Sequence, residues 1–151
     1  MNAPRRTQED RREATRDALL TATVALIAER GVAATTFLDV AERAGLSKGA
    51  LTHHYDSKDA LLEAALDRVT ASLQQHLAAA WDPTLPALPR LRKAVATTLA
   101  LPDDRPSELR VLAALSTEAL HTERLATRVR PVVDGLERCV GDGVSLTLAE
   151  L

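Results

Sequence analysis

The segment TTFLDVAERAGLSKGALTHHYDSK, residues 35–58, constrains the fold more than any other part of the chain. Thr36 precedes an apolar-periodic run and Asp39 stands three residues on. At that spacing the cap hydroxyl and the carboxylate each satisfy a backbone donor at the other's end of the first turn. A helix is therefore expected from about Phe37. Gly45 lies where a left-handed residue ends such a helix, and Ser47 offers a hydroxyl cap to a second helix running from Lys48 to about Tyr55. Helices joined so tightly cross steeply, which is the arrangement of a helix-turn-helix. The second helix carries little apolar surface beyond Ala50, Leu51 and Tyr55. Its other face, with Lys48, Gly49, Thr52, His53 and His54, is left to touch something outside, and in a helix-turn-helix that is the DNA major groove.

The pattern Gly31, Thr35, Thr36, Val40, Ala41, Ala44, Gly45, Ser47, Gly49, Leu51, Ser57 and Lys58 resembles the TetR family of bacterial transcriptional regulators. The resemblance runs from about Arg12 to Leu66. It implies an all-α protein with an N-terminal helix-turn-helix DNA-binding domain (1–58, including an N-terminal arm) and a helical effector-binding and dimerising domain (59–151). One departure stands out: the family usually has a Tyr directly after the recognition-helix Leu, where this chain has Thr52. Relatives generally continue with two further helices that build the dimer bundle, so the second domain is expected to be incomplete.

At 151 residues the chain can bury one core, or a small domain attached to a second. No apolar run approaches the roughly 18 residues of a membrane span, and the polar stretch from Met1 to Glu13 has no secretory h-region. The single cysteine, Cys139, has no internal partner and reads as a packing residue. These features give a cytoplasmic reading. The net charge of −2 runs against a nucleic-acid partner, but its distribution does not. No acidic residue lies between Arg43 and Tyr55, Arg5 and Arg6 precede every carboxylate, and the acidic surplus follows Leu61.

Residues 1–10 read as a flexible arm, and a first helix is expected from about Arg11 to Arg30, with Leu19, Leu20, Thr23, Val24, Leu26 and Ile27 on its apolar face. Asp56 and Ser57 start a long helix whose apolar positions run from Leu62 to Trp81. Three prolines between Asp82 and Pro89 exclude its continuation. Further helices are expected around Leu88–Leu99, Ser107–His121 and Thr122–Val140, the last kinked or split by Pro131. The tail VSLTLAEL is ambiguous between helix and strand.

The candidate DNA contacts are Thr35, Thr36, Ser47, Lys48, Gly49, Thr52, His53, His54, Tyr55 and Lys58. Lys48 and Lys58 begin helices and are placed to meet phosphates, as are the hydroxyls of Thr35 and Thr36. The two imidazoles suit base edges or phosphate oxygens, Thr52 suits a thymine methyl or a base edge, and Tyr55 suits a core anchor better than a base reader. Gly49 permits close approach to DNA or to the preceding helix. Neighbouring helix positions point about 100° apart, so His53 and His54 do not chelate one ion, and neither metal nor cofactor is implied. An effector pocket would be walled by Leu, Val and Ala, with His76, Trp81, Arg110, Thr117 and His121 as candidate contacts and Glu118 as another polar neighbour.

The sequence thus reads as a TetR-like regulator, a repressor that binds a palindromic double-stranded operator as a homodimer and is released by a small apolar effector. The alternative is a helical interaction protein that no longer binds DNA and pairs with a full-length relative. No nucleophile motif, phosphate loop or metal spacing supports an enzyme.

Overall fold

The computed structural model describes residues 7–86 (apart from the Leu77 side chain), 88–90, 92, 93, 96, 108–131 and 134. Its helices are α1 (Gln8–Arg30), α2 (Phe37–Arg43), α3 (Lys48–His54), α4 (Lys58–Ala80) and α5 (Glu108–Ala119). Residues 123–131 form a further helical stretch, and no strand occurs among the described residues.

Helix α1 begins earlier than the sequence reading placed it. Thr7 and Asp10 form a capping box, with the Asp10 N–H donating to the Thr7 hydroxyl at 3.1 Å and the Thr7 N–H to the Asp10 carboxylate at 2.7 Å. The arm expected over 1–10 therefore becomes helix from Gln8, and residues 9–16 gain fixed directions. Arg5 and Arg6 lie outside the described residues. The same T-x-x-D device starts α2 at Thr36–Asp39. These bonds hold the Asp10 and Asp39 carboxyls below their usual range: for Asp10 the Thr7 backbone N–H matters most, for Asp39 the Thr36 hydroxyl. With the folded pKa depressed, their contribution to stability is present above the unfolded value, about 3.9, and is lost as pH falls through the folded one.

The α2–α3 turn closes on two bonds. The Leu46 N–H reaches the Ala41 carbonyl at 2.9 Å and the Gly45 N–H reaches Glu42 at 3.0 Å, a Schellman motif with Gly45 at φ +68. Ser47 then caps α3 by accepting the Ala50 N–H at 3.1 Å. Tyr55 has left the helix with φ −136, so α3 ends one residue before the expected boundary.

All six expected core positions of α1 are buried. They join Val40, Ala41, Leu51 and Tyr55 from the helix-turn-helix, Leu61, Leu62, Ala65, Leu66 and Val69 from α4, Val111 and Leu115 from α5, and Leu125 and Val129. The first half of α4 therefore shares a core with α1–α3, across the division expected at 58/59. At 23 residues α4 is roughly 35 Å long. Its flanks are pinned by Arg68 to Asp17 of α1 (2.6 Å), by Arg128 to Asp67 (2.6 Å) and by Arg124 to Glu63 (2.9 Å).

Beyond Trp81 the chain turns on Asp82, whose carboxylate accepts the Thr84 hydroxyl (2.6 Å) and N–H (3.1 Å) and pairs with Lys93 (3.0 Å). These partners, the Thr84 hydroxyl foremost, lower its pKa to about 2. Residues 88–90, 92, 93 and 96 are helical, as the periodicity predicts, while Leu91, Val95 and Leu99 lie outside the described residues. So do Cys139, Val140 and the tail VSLTLAEL. Pro131 is itself helical.

Two glycines of the helix-turn-helix should respond oppositely to alanine. At Gly45 the positive φ penalises any side chain, so Gly45→Ala should cost about 1–2 kcal/mol. At Gly49 a Cβ would meet only the Ser47 hydroxyl at 3.9 Å, so Gly49→Ala should be neutral or stabilise by up to about 1 kcal/mol. Urea denaturation of both variants checks the pair; equal losses would contradict this account of the turn.

Candidate nucleic-acid interface

Helix α3 buries Leu51 completely and half-buries Ala50 and His54, which leaves Lys48, Gly49, Thr52 and His53 on its exposed side. Ser47 and Thr36 are exposed beside them. Both hydroxyls are already engaged as caps, and that of Thr52 donates to the Gly49 carbonyl at 3.0 Å. The space around Gly49 shows that α2 does not press on it. Of the two approaches the sequence allowed at this glycine, only one from outside remains.

Three of the expected contact residues, Thr35, Lys58 and His54, are partly or wholly engaged within the fold, and Tyr55 takes the core position that the sequence also favoured for it. Thr35 is buried and its hydroxyl donates to the Gly31 carbonyl at 2.8 Å. Lys58 is half-buried, and its ammonium donates to the Val32 carbonyl at 2.9 Å. Both side chains tie down the 31–35 turn from within, because the start of α4 packs against it. Tyr55 is a core residue whose hydroxyl receives the Arg16 Nε–H at 3.4 Å. His54 turns inward, edge-on to His53 with ring centres 5.7 Å apart. Its pKa is lowered, chiefly by burial and then by the positive charges of His53, Arg12 and Arg16.

The arginines were missed. Arg12 and Arg16 line one groove with Glu9, Glu13, His54 and Tyr55. The signal was present in the Thr7–Asp10 box, which extends α1 far enough back to bring both guanidinium groups beside the end of α3. Arg43, at the end of α2, is instead occupied by a two-pronged pair with Glu29 at 2.6 and 3.0 Å.

Residues 19–65 match the model of bacterial regulatory proteins of the tetR family. The HTH-type transcriptional regulator BetI of Burkholderia ambifaria is 40% identical over 77 residues, covering 48% of this chain and 40% of that regulator. The chain therefore spans less than half the length of this relative. A transcriptional regulator from Saccharomonospora viridis, solved in complex with choline, superposes with a TM-score of 0.81 at 25% identity, over 91% of this chain and 71% of that one. MexZ, a repressor of Pseudomonas aeruginosa responsible for antibiotic resistance, superposes with a TM-score of 0.69 at 27% identity, over 90% and 68%. The chain is thus similar to TetR-family regulators, in sequence over residues 19–65 and in fold over 90–91% of its length.

The TetR-type expectation of an effector pocket gathers little support from the candidate residues. Trp81 is 42% exposed at the end of α4, with the Arg90 guanidinium 5.3 Å from its ring. Thr117 and His121 are exposed, the Thr117 hydroxyl donating to the Ala113 carbonyl at 3.0 Å. Arg110 is exposed on α5, and Glu118 is half-buried. His76 faces another helix, its Nδ1 3.6 Å from Glu108 Oε2. Glu108 was not anticipated; it also accepts the Ser72 hydroxyl at 2.6 Å. The helical spacing of single residues does not reveal which pairs meet across α4 and α5. Among the described residues no cluster suits a metal ion and no helix is long and apolar enough to cross a membrane.

The placement of Lys58 generates a stability prediction. Lys58→Met removes a charged donor from the Val32 carbonyl, which the Thr35 N–H also reaches at 3.2 Å, and should cost about 1 kcal/mol. Unchanged urea midpoints would return Lys58 to the outer surface.

Proposed function

We propose that this protein is a DNA-binding transcriptional regulator that binds a palindromic operator as a homodimer, acts as a repressor and is released by a small molecule. The observation that carries the reading is the exposed, acid-free side of α3. A helix capped by Ser47 and anchored by Leu51 presents Lys48, Thr52 and His53 outward, and no carboxylate between residues 43 and 55 opposes phosphate. Lys48 serves the backbone; Thr52 and His53 serve base edges.

The chain beyond residue 58 would supply effector binding and dimerisation. Ser72, His76 and Glu108, where α4 meets α5, favour an effector with a polar or cationic group over the wholly apolar one that composition suggests. The choline complex of the Saccharomonospora viridis neighbour is in keeping with this. Release follows if the effector favours an arrangement of α4 in which the two recognition helices no longer match the half-site spacing.

Selection of binding sites from a random duplex pool, followed by salt titration, tests the reading. Lys48→Ala should weaken binding at every sequence and reduce the salt slope by about 0.9, the share of one phosphate. His53→Ala should alter the selected consensus. Equal slopes for Lys48→Ala and parent would remove Lys48 from the interface, and an unchanged consensus would do the same for His53.

A further inference from the structure

The groove beside α3 is not accounted for by base reading. It has a volume of about 490 Å³ and is lined by Glu9, Arg12, Glu13 and Arg16 of α1 together with His54 and Tyr55. We propose that it seats a phosphate of the DNA backbone, held by Arg12, Arg16 and His54, and that filling it makes DNA binding take up a proton. This rests on the DNA-binding reading above.

Position is the first argument. The groove opens where α3 ends, and a helix lying in the major groove has a sugar–phosphate strand passing each of its ends. The capping box at Thr7 fixes the turns of α1 that carry Arg12 and Arg16, so both are held there by helix and not by a tail. Arg16 is further steadied by its bond to the Tyr55 hydroxyl at 3.4 Å.

Charge is the second. With His54 neutral, two guanidinium groups face two carboxylates and the lining is balanced. Neither Arg12 nor Arg16 forms an ion pair with Glu9, Glu13 or any other described carboxylate. An entering phosphate tips the balance negative, and of the lining groups the imidazole of His54 is the one whose type ordinarily titrates between pH 5 and 8. In the unbound protein the charged form of that imidazole is disfavoured, chiefly by burial and then by the charges of His53, Arg12 and Arg16. A phosphate reverses the sign of its surroundings and favours the charged form. Binding and proton uptake then reinforce each other, and affinity rises as pH falls. His53 is exposed on the other side of the pair and lies outside the groove lining.

The experiment measures affinity of the full chain for a short mixed-sequence DNA duplex, as a function of salt and of pH between about 5.5 and 7.5. Parent affinity should rise toward acid by up to about tenfold per pH unit, the limit for one linked proton. His54→Gln should remove most of that rise, whereas His53→Gln should keep it. Arg12→Ala should lower the salt slope by about 0.9, and Arg12→Lys should restore it. Unaltered folding of each variant is verified by its helical circular dichroism. Failure of the parent to bind at low salt overturns both the DNA-binding reading and the seat. If the parent binds but Arg12→Ala keeps the full slope, or His53→Gln and not His54→Gln abolishes the pH dependence, the DNA-binding reading stands and the seat is overturned.

Discussion

Helix α3 places one fully buried side chain of its own in the core, Leu51, with Tyr55 just beyond its end. Seven residues are too few to be stable as an isolated helix, so its direction is set by what flanks it. Upstream, Gly45 at φ +68 and the Ser47 cap determine where it begins. Downstream, Tyr55 joins α1 and α4 residues in the same core, and the Arg16 bond ties its hydroxyl to α1. The outward face of α3 is therefore a consequence of the packing of α1, α2 and α4 around it.

The same dependence gives α4 its part in the account. Its first half carries Leu61, Leu62, Ala65, Leu66 and Val69 into the core that orients α3, while its second half carries Ser72 and His76 toward Glu108 of α5. One rigid helix thus borders both the proposed reader and the proposed effector region. Helix α1 has a comparable position, since it contacts α2, α4 and α5. The α4–α5 contact and the core that orients the helix-turn-helix lie on one helix, a geometry that suits regulation by differential binding to two arrangements.

Much of the helix-turn-helix was legible because its determinants are local. The Thr36–Asp39 box, the left-handed Gly45 and the Ser47 cap each act over three or four residues, and each stands where the sequence puts it. The Thr7–Asp10 box was equally local and was passed over, which hid Arg12 and Arg16. The inward turn of Thr35 and Lys58 was not legible. Both meet carbonyls of the 31–35 turn, and for Lys58 that partner lies 26 residues away and depends on how α4 docks. The expected effector residues dispersed for the same reason: helical periodicity orders side chains around one axis but does not state which axis lies opposite. Glu108 facing His76 is a fact of the packing between helices.

The central claim is that the surface made by α3 and the start of α1 meets DNA. A backbone amide chemical-shift map of the full chain, with and without a short mixed-sequence duplex at low salt, addresses it most directly. The account predicts that the largest changes fall on residues 47–54, on Thr36 and on the turns of α1 around Arg12 and Arg16, with smaller ones along the first half of α4. Changes centred on α5 and residues 123–131, with α3 unmoved, would contradict it.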